Sequence, residues 1–283
     1  MDGPRISVII PTRNRVEGLK RSLDSLLQDD YRNKEILVMD GASTDGTIEL
    51  LRSYGSRIAW ASAEDAGEYD ATNKGIRRAT GAIIKQMTDD DVHRPGALRV
   101  AADFMFTHPD VDIMFGQHIV WAAFPGRERF VLRGPISPDR LDLSLRNWVR
   151  RTRPLPCYQA AFFRRDLFDR LGYFRTDFTG GDYEFFARAA RMGARMIAIG
   201  QVVVDFNLTG DNGIFRNAWK VHKDGVRIAC MHGDGLSRIL AICRAGVYGL
   251  ALCLGRGTNS IGWHPVRDWQ EFRSRHWERA KDR

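Results

Sequence analysis

Short apolar runs and segments of helical periodicity alternate along the first hundred residues. Residues 6–10 form a β-rich run that Pro11 closes, and leucines at 19, 23, 26 and 27 then recur at helical spacing. The alternation continues with strand-like runs at 35–39, 58–62 and 82–87 and helix-like segments at 48–54, 69–79 and 95–107. This rhythm predicts an α/β fold with a mostly parallel central sheet flanked by helices.

The pattern is mixed after residue 110. Strand-like runs occur at 111–123, 159–163 and 196–206, and helix-like segments occur at 167–171 and 182–192. We find no internal repeat, no low-complexity tract and no linker that clearly separates two folding units. We therefore expect one large domain, with or without an extension.

The composition is that of a folded protein that buries a full core. Of the 283 residues, 43% are hydrophobic and 28% are charged, which excludes wholesale disorder. The four cysteines form no CxxC pair and have no metal-like spacing, so we expect reduced thiols and a cytoplasmic protein. The first residues, MDGPR, do not resemble a secretory signal, and we expect none. Secreted disulfide scaffolds, zinc fingers and fibrous proteins are disfavoured.

Positive charge is concentrated near the C-terminus. The formal net charge is +8, and residues 236–283 hold nine Arg or Lys against four acids. Residues 239–254 are largely apolar, but they are too few to span a bilayer comfortably. After Pro265, apolar positions recur at helical spacing with arginines between them. The pattern favours either peripheral contact of 236–283 with an anionic membrane or an amphipathic helix packed on the domain.

Polar and acidic side chains follow four of the predicted strands. They are Thr12-Arg13-Asn14, Asp40-Gly41, Glu64-Asp65 and Asp89-Asp90-Asp91. In open α/β sheets, ligands bind outside the carboxyl ends of the strands. Three successive acids repel one another unless a cation offsets them, and Mn²⁺ or Mg²⁺ prefers carboxylate oxygens. The alternative is that Asp91 caps the next helix and the other two acids are solvated.

Four segments together resemble family-2 glycosyltransferases with the GT-A fold. They are PTRNR at 11–15, DGASTDGT at 40–47, EDAGEYDATNKG at 64–75 and TDDD at 88–91. Their order and spacing match as well as their residues, and the resemblance covers about residues 5–210, closest in kind to bacterial enzymes that build surface polysaccharide or lipopolysaccharide.

The resemblance implies a domain organisation. A Rossmann-like GT-A domain would occupy residues 1–210, with a nucleotide-sugar half at about 1–110 and an acceptor half at about 111–210. A basic, amphipathic helical extension would follow at 211–283.

The resemblance also implies residues that bind the donor, a nucleotide-diphosphate sugar with UDP or GDP expected. The residues implied to line this site are Thr12, Arg13, Asn14, Asp40, Asp65, Asn73, Lys74 and Asp89. Asp40 would hydrogen-bond the base and Asp89 the ribose. Arg13 stands where the family often has Tyr, so it would either stack on the base through its guanidinium plane or contact the diphosphate. Lys74 has the alternative of a solvated helix lysine.

A metal and a catalytic base are implied in the same way. Asp90 would bind Mn²⁺ or Mg²⁺, with Asp91 acting on the metal site directly or through water. Asp182, at the start of a predicted helix, would be the base, and Glu184 is the second choice. The family often has an acid just before this base, where this chain has Gly181. The alternative for Asp182 is a helix N-cap.

Four further residues are candidates on the acceptor side or at the metal. Tyr158 and Gln159 resemble an acceptor-lining segment, although core-edge packing is equally compatible with them. His222 and His232 are possible late metal ligands, with structural roles as the alternative.

The implied reaction is an inverting, metal-dependent sugar transfer to a hydroxyl of a glycan or lipid-linked acceptor, at the cytoplasmic face of the plasma membrane. A carboxylate would remove the hydroxyl proton while the metal stabilises the leaving diphosphate. Two alternatives compete. A sugar-nucleotide nucleotidyltransferase would need a Gly-rich basic loop after the first strand, where the chain has residues 11–15 instead. A nucleic-acid binder would place its basic residues at the cleft, where acids are predicted, so we expect no nucleic-acid partner.

Overall fold

The computed structural model describes residues 3–122, 130–208 and 218–253 of the chain. The first part alternates strands and helices. Its elements are β1 (Ile6–Thr12), α1 (Val16–Leu27), β2 (Lys34–Asp40), α2 (Thr47–Ser53), β3 (Ala59–Ser62), α3 (Glu68–Arg78), β4 (Ile83–Gln86), β5 (Val92–His93) and α4 (Ala97–Thr107). The strands and helices predicted over the first hundred residues are therefore confirmed.

The second part completes the sheet and ends in two long helices. Its elements are β6 (Ile113–Ala122), β7 (Phe130–Arg133), α5 (Leu145–Arg150), β8 (Ala161–Arg164), α6 (Asp166–Leu171), α7 (Gly181–Arg191), β9 (Met196–Leu208), α8 (Ala218–His232) and α9 (Gly235–Cys253). The helix predicted after Pro265 lies outside the described residues. None of the helices in the described part is both long and apolar enough to cross a bilayer.

The strands form one sheet in the order β3-β2-β1-β4-β8-β6-β9-β5, and β7 pairs with β6. The pairs among β3, β2, β1 and β4 are parallel, as is the pair of β6 with β9. β8 runs antiparallel between β4 and β6 and joins the two parallel groups. The predicted α/β fold with a mostly parallel sheet flanked by helices is confirmed.

Helices cover both faces of the sheet because alternate residues of the buried strands point to opposite sides. In β1, Ile6, Val8 and Ile10 pack into the core that includes residues of α1 and α4. Ile9 points to the other face, into the core that includes residues of α3 and α7. All four side chains are fully buried. The two cores fix the strand ends that carry the polar groups.

β1 continues past Pro11, where the sequence pattern predicted its end. Pro11 and Thr12 pair with Met39 and Asp40 of β2. On the other side, the pairing with β4 reaches only Ile9 and Gln86. Proline is tolerated here because the neighbouring strand that would need its N–H has already ended.

Candidate active site

The carboxyl ends of β1, β2 and β4 meet at one edge of the sheet. Thr12, the last residue of β1, lies opposite Asp40 of β2. The Thr12 hydroxyl also donates a hydrogen bond of 2.7 Å to Oδ2 of Asp89, which follows β4. The three strand ends that the sequence marked as polar are thus neighbours in space.

Asp40 is a buried carboxylate that organises the loop after β2. Its Oδ2 accepts hydrogen bonds from the Ser43 amide at 3.0 Å and from the Ser62 hydroxyl at 2.6 Å. Its Oδ1 accepts a short hydrogen bond from the Ser43 hydroxyl. These bonds tie the loop to both β2 and β3, so Asp40 shapes the recess beside it.

Gly41 leaves room for two predicted donor-site residues to approach the backbone. A Cβ at position 41 would lie 2.5 Å from Oδ2 of Asp65 and 3.3 Å from Cδ of Arg13. Asp65 is held there because its Oδ1 accepts a hydrogen bond of 2.8 Å from the Gly67 amide. Arg13, Asp40 and Asp65 therefore border the same recess.

Asn14 joins the loops that follow β1 and β2. Its backbone is left-handed, with φ of 54°, which asparagine tolerates better than most residues. Its backbone N–H donates to the Ser43 hydroxyl at 2.8 Å, and its side-chain Oδ1 accepts from the backbone N–H of Thr44 at 2.7 Å. Asn14 thus positions the wall of the recess.

The three acids after β4 occupy three different environments. Asp89 is partly open to the crevice, and Asp90 is 7% exposed and lies 4.0 Å from Nη1 of Arg15. Asp91 is fully buried, where it accepts hydrogen bonds from the Thr88 hydroxyl and, at 3.0 Å, from the Asn207 amide. Direct metal ligation by Asp91 is therefore set aside, because its carboxylate is bonded to the protein interior.

Burial disfavours the charged form of the two crevice acids. Burial and the neighbouring Asp90 raise the pKa of Asp89 to about 6, although the Thr12 hydroxyl opposes this shift. Burial also raises the pKa of Asp90, and Arg15 opposes it. The positive charge near these two carboxylates does not offset the effect of burial. A divalent cation bound to them would favour their charged forms.

The donor set fits a metal that is only partly coordinated by protein. Within residues 3–122, 130–208 and 218–253, no three or more His, Cys, Asp or Glu side chains form a metal cage. Mg²⁺ in particular is commonly held by one or two carboxylates, with phosphate oxygens and water completing its shell. Asp89 and Asp90 can supply those carboxylates.

Asp182 lies in the first turn of α7 and faces α3. Its Oδ1 accepts a hydrogen bond of 2.9 Å from the Tyr69 hydroxyl. Burial raises the pKa of Asp182, while the Tyr69 hydrogen bond and the positive charge of Arg151 lower it. A carboxylate with a raised pKa is a stronger base than an ordinary aspartate, which suits a group that removes a proton.

Gly181 permits the contact between Tyr69 and Asp182. A Cβ at position 181 would lie 3.0 Å from the Tyr69 ring and 2.8 Å from the Arg175 carbonyl oxygen. The departure from the family's usual acid at this position thus has a steric reason. The tyrosine ring occupies the space that an acidic side chain would need.

Glu68, the first residue of α3, connects the two groups of acids. Enclosure by the cleft, and then repulsion by Asp182, Asp89 and Asp90, raises its pKa. The Glu68 side chain is also exposed to solvent. Gln86 donates a hydrogen bond of 3.3 Å to Glu68 Oε1. Glu68 therefore lies within electrostatic range of both the β4 acids and the candidate base.

Glu184 faces away from Asp182. It is fully buried, forms a 2.9 Å ion pair with Arg188, and contacts Nε2 of His232 at 3.1 Å. Burial alone would raise the pKa of Glu184, but the bonds from His232 and Arg188 lower it overall. The pair fastens α7 to α8, so neither Glu184 as base nor His232 as metal ligand fits this arrangement.

Two residues predicted at the donor site have other partners. Asn73 is 4% exposed and binds Phe174 with both ends of its amide, donating to the carbonyl at 2.8 Å and accepting from the N–H at 3.0 Å. Lys74 donates to the Glu64 carbonyl at 3.0 Å and forms a 2.9 Å ion pair with Asp70. Donor contact is therefore no longer assigned to Asn73, and Lys74 has the contacts of a surface helix lysine.

The predicted acceptor-side residues lie below the crevice. Tyr158 is 4% exposed, with its ring 6.4 Å from that of Tyr69 and 5.3 Å from that of Phe174. The Gln159 carbonyl accepts a hydrogen bond from Lys85, which is fully buried. Tyr158 thus supports Tyr69 from the core side, which agrees with the core-edge alternative. His222 lies in a separate cavity beside Arg151.

Sequence reasoning missed four residues that the fold brings to the crevice. They are Arg15, Glu68, Tyr69 and Arg151. Glu68 and Tyr69 stand inside a recognised segment, and the only available signal was their place at a predicted helix start. Nothing in the sequence pairs Tyr69 with Asp182, because the contact depends on how α3 and α7 pack.

The fold, with its polar crevice at the carboxyl ends of the strands, is the Rossmann-like GT-A architecture. Residues 7–172 match the family model Glycosyl transferase family 2. The chain belongs to this family.

Curated relatives agree with the family. The chain is 32% identical over 177 residues to the PGL/p-HBAD biosynthesis glycosyltransferase of Mycobacterium tuberculosis, which covers 61% of this chain and 64% of that relative. The chain thus matches somewhat less than two thirds of that protein's length. It is 30% identical over 237 residues to an uncharacterized glycosyltransferase of Mycobacterium tuberculosis, covering 81% of this chain and 84% of the relative.

Solved structures support the fold. The S. aureus TarS fragment 1–349 in complex with UDP-GlcNAc aligns with a TM-score of 0.60 at 19% identity, covering 79% of this chain and 66% of that one. The mannosyltransferase PcManGT from Pyrobaculum calidifontis, in complex with GDP-Man and Mn²⁺, aligns with a TM-score of 0.62 at 20% identity, covering 96% and 84%. The predicted GT-A fold is confirmed.

Proposed function

We propose that this glycosyltransferase moves a sugar from a nucleotide-diphosphate sugar to an acceptor hydroxyl with inversion at the anomeric carbon. The observation that carries the proposal is that the start of α3 contacts both groups of acids: Glu68 bonds at 3.3 Å to Gln86, the last residue of the strand that Asp89 and Asp90 follow, and Tyr69 bonds to Asp182 at 2.9 Å. A donor held by the first group would present its sugar to the second. Asp89 and Asp90 would thus bind the donor, and Asp182 would remove the proton of the acceptor hydroxyl.

The nucleotide belongs in the recess bordered by Arg13, Asp40 and Asp65. Asp40 retains acceptor capacity for a base N–H, since a carboxylate has about four lone-pair sites and three are used. Arg13 is exposed beside it and can stack on the base or meet the diphosphate. UDP and GDP are the proposed nucleotides, because the TarS and PcManGT complexes contain UDP-GlcNAc and GDP-Man.

Asp89 and Asp90 are the residues that would hold Mn²⁺ or Mg²⁺, with Asp89 also within reach of the ribose. When bound, the ion would offset the charge that develops on the leaving diphosphate. Arg15, 4.0 Å from Asp90, supplies positive charge on the same side. The buried Asp91 bonds to Asn207 of β9 and so keeps this segment in place.

Asp182 is the proposed general base. Its raised pKa and its position across the crevice from the donor acids suit removal of a proton from the attacking hydroxyl. Attack from the face opposite the leaving diphosphate inverts the anomeric centre. Tyr69 orients the carboxylate by its hydrogen bond and does not itself need to exchange a proton.

The acceptor is proposed to be a glycan or lipid-linked glycan in cell-surface polysaccharide synthesis. We divide the chain into a donor half at about 1–110, an acceptor half at about 111–210 and an extension at 211–283. The exposed face of α9 suits peripheral membrane contact, at the inner face of the plasma membrane. We call it the α9 stripe, and its side chains are Leu236, Ile239, Leu240, Cys243 and Val247.

A thermal-shift panel of UDP-, GDP-, dTDP- and CMP-sugars, with and without Mn²⁺, tests the proposal. Ligands that bind the native state raise its melting temperature by mass action. We expect metal-dependent stabilisation by a UDP- or GDP-sugar that Asp90→Asn abolishes. Asp182→Asn should keep this stabilisation and lose sugar transfer. Stabilisation by none of these donors, or full transfer by Asp182→Asn, would contradict the proposal.

A further inference from the structure

A cavity of about 150 Å³ lies between the end of α5 and helices α8 and α9. Its lining includes three basic side chains, and none of the described lining residues is acidic. The described lining is Arg151, Val221, His222, Gly225, Val226, Ala241 and Arg244. Arg151 and Arg244 are half-buried, and neither forms an ion pair with an acid among the described residues. Because cations taken out of water are normally paired, the two arginines favour a negatively charged occupant.

The two arginines are held at this pocket by the surrounding chain. Nη1 of Arg244 donates a hydrogen bond of 2.9 Å to the Arg150 carbonyl. The guanidinium carbon of Arg151 lies 4.1 Å from the centre of the Tyr183 ring. The Nε atom of Arg151 is buried and has no hydrogen-bond partner within the described residues. Each guanidinium therefore has donors left for an anion.

The backbone of Arg151 favours a functional reason for the arginine. Arg151 ends α5 in the left-handed conformation, with φ of 53° and ψ of 45°. Glycine or asparagine is the usual residue at such a helix end. The helix end therefore does not explain the long charged side chain at position 151, whereas its place in the lining of the pocket does.

The two arginines disfavour positive charge on His222 and on each other in the absence of an anion. Burial, followed by Arg244 and Arg151, lowers the pKa of His222 to about 4. Burial and Arg151 also lower the pKa of Arg244. An anion placed among them would relieve this repulsion.

The pocket adjoins the proposed base and not the donor acids. Arg151 follows α5, and its guanidinium lies 4.1 Å from the centre of the ring of Tyr183, the residue directly after Asp182 in α7. The charge that acts most strongly on Asp90 comes instead from Arg15, at the other end of the crevice. An anion held by Arg151 and Arg244 would therefore belong to the molecule that approaches Asp182.

We propose that the cavity formed by Arg151, His222 and Arg244 binds a phosphate group carried by the acceptor. Guanidinium groups form paired hydrogen bonds with phosphate oxygens. This inference rests on the proposed function, because it assigns the phosphate to the acceptor of that reaction. The α9 helix supplies Arg244 to the pocket and the α9 stripe to the surface, so a lipid-borne phosphate would fit both.

The test is calorimetric titration of the full-length protein with pyrophosphate in the presence of a metal chelator. We expect binding that Arg244→Gln and Arg151→Asn each weaken at least about tenfold, and that Arg244→Lys largely retains. Arg151→Asn should keep the melting temperature, because asparagine tolerates the left-handed backbone. Arg238→Gln, an exposed arginine of the same helix, is the matched control and should bind as the wild type does. Equal affinity in Arg244→Gln and the wild type would overturn the proposal.

Two further arms separate the sources of the anion. Saturating UDP with Mn²⁺ should leave pyrophosphate binding intact, and competition between them would overturn the assignment to the acceptor. Phosphatidylcholine vesicles with a polyprenyl diphosphate should bind the wild type more than Arg244→Gln if the phosphate is lipid-borne. If the wild type exceeds Arg244→Gln in binding soluble pyrophosphate but not in binding these vesicles, the phosphate is assigned to a phosphorylated glycan.

The same experiment also tests the proposed function independently. Nucleotide-sugar binding is measured on the same proteins, with Mn²⁺. Intact nucleotide-sugar binding together with absent pyrophosphate binding would remove the pocket proposal alone. Absent nucleotide-sugar binding would remove the proposed function itself.

Discussion

The Tyr69 hydroxyl donates a hydrogen bond of 2.9 Å to Oδ1 of Asp182 and so joins the first turn of α3 to the first turn of α7. The first of these helices follows the strand that borders the donor recess, and the second carries the proposed base. The bond therefore fixes the geometry between the donor and acceptor sides of the crevice. It also favours the charged form of Asp182 against the effect of burial.

Removal of this hydrogen bond should change the pH dependence of transfer more than the affinity for the donor. In Tyr69→Phe, burial would raise the pKa of Asp182 without the opposing bond. The acidic limb of the rate profile should move up by roughly one pH unit, and the donor KM should change little. Initial rates between pH 5 and pH 9 measure the shift.

Tyr54→Phe is the control for this prediction. Its hydroxyl also donates to an aspartate, Asp24, at 2.7 Å, but far from the crevice. This variant should keep the wild-type profile. An unchanged profile in Tyr69→Phe would remove the proposed role of Tyr69 at Asp182.

The donor recess should be sensitive to a single added methyl group at Gly41. In Gly41→Ala, the new Cβ would meet Oδ2 of Asp65 at 2.5 Å and Cδ of Arg13 at 3.3 Å. Because both side chains border the recess and would be displaced from it, we expect the donor KM to rise at least about tenfold. The free energy of unfolding should change by less than about 1 kcal/mol, since Asp65 and Arg13 are not buried and can move. Donor-dependent thermal shifts and steady-state kinetics measure the two effects.

Gly200→Ala is the matched control, because a Cβ there would meet nothing within 4 Å. It should leave the donor KM unchanged. A donor KM in Gly41→Ala equal to that of Gly200→Ala would place the nucleotide elsewhere.

The sequence was sufficient to predict that the polar ends of three strands lie together. The apolar runs that became β1, β2 and β4 are each followed by a polar end, and parallel strands bring such ends together. Thr12 ends β1 and Asp89 lies three residues past the end of β4, so this rule brings the two residues to the same edge, where they share a hydrogen bond. The recognised segments added the expected roles.

Side-chain direction was not predictable from the sequence. Asp90 and Asp91 are neighbours, yet one faces the crevice and the other accepts bonds from Thr88 and Asn207 in the interior. Asp182 and Glu184 are only two residues apart, and the helix rotates them to different partners. Asn73 bonds to Phe174 because of a packing contact between distant segments. Each of these outcomes depends on tertiary packing.

The pair of Glu184 with Arg188 and His232 should stabilise the fold without taking part in the reaction. In Glu184→Gln, a buried Arg188 interaction and a histidine contact lose their charge partner, so we expect about 3 kcal/mol of destabilisation at pH 7. Transfer per folded molecule should stay near the wild-type level. Urea unfolding and activity at the same temperature measure both.

The same pair predicts a pH dependence of stability. The pKa of Glu184 is lowered from 4.5 in the folded protein, so the unfolded chain binds the proton more readily. The stabilisation is therefore fully present above about pH 4.5 and is lost as the pH falls through the folded pKa. The stability difference between the wild type and Glu184→Gln should shrink below pH 4.5.

Glu49→Gln is the control for both parts. Glu49 forms an exposed 3.5 Å pair with Arg52, and its loss should cost no more than about 0.5 kcal/mol. Loss of transfer in a folded Glu184→Gln protein would return Glu184 to the list of candidate bases.

The α9 stripe should control association with anionic vesicles. Leu236 and Ile239 are 53% and 59% exposed on one face of α9, and both belong to the basic stretch 236–283 of the sequence. Insertion of such side chains into an interface contributes about 1.5–3 kcal/mol each when burial is complete. The double change Leu236→Ser and Ile239→Ser should therefore lower flotation with phosphatidylglycerol vesicles by at least about tenfold.

The matched control is Phe106→Ser, which removes an apolar side chain that is 69% exposed on α4 and should float as the wild type does. Equal flotation of the double variant and the wild type would leave the basic segment alone as the membrane contact, and a wild type that does not float would remove the membrane proposal.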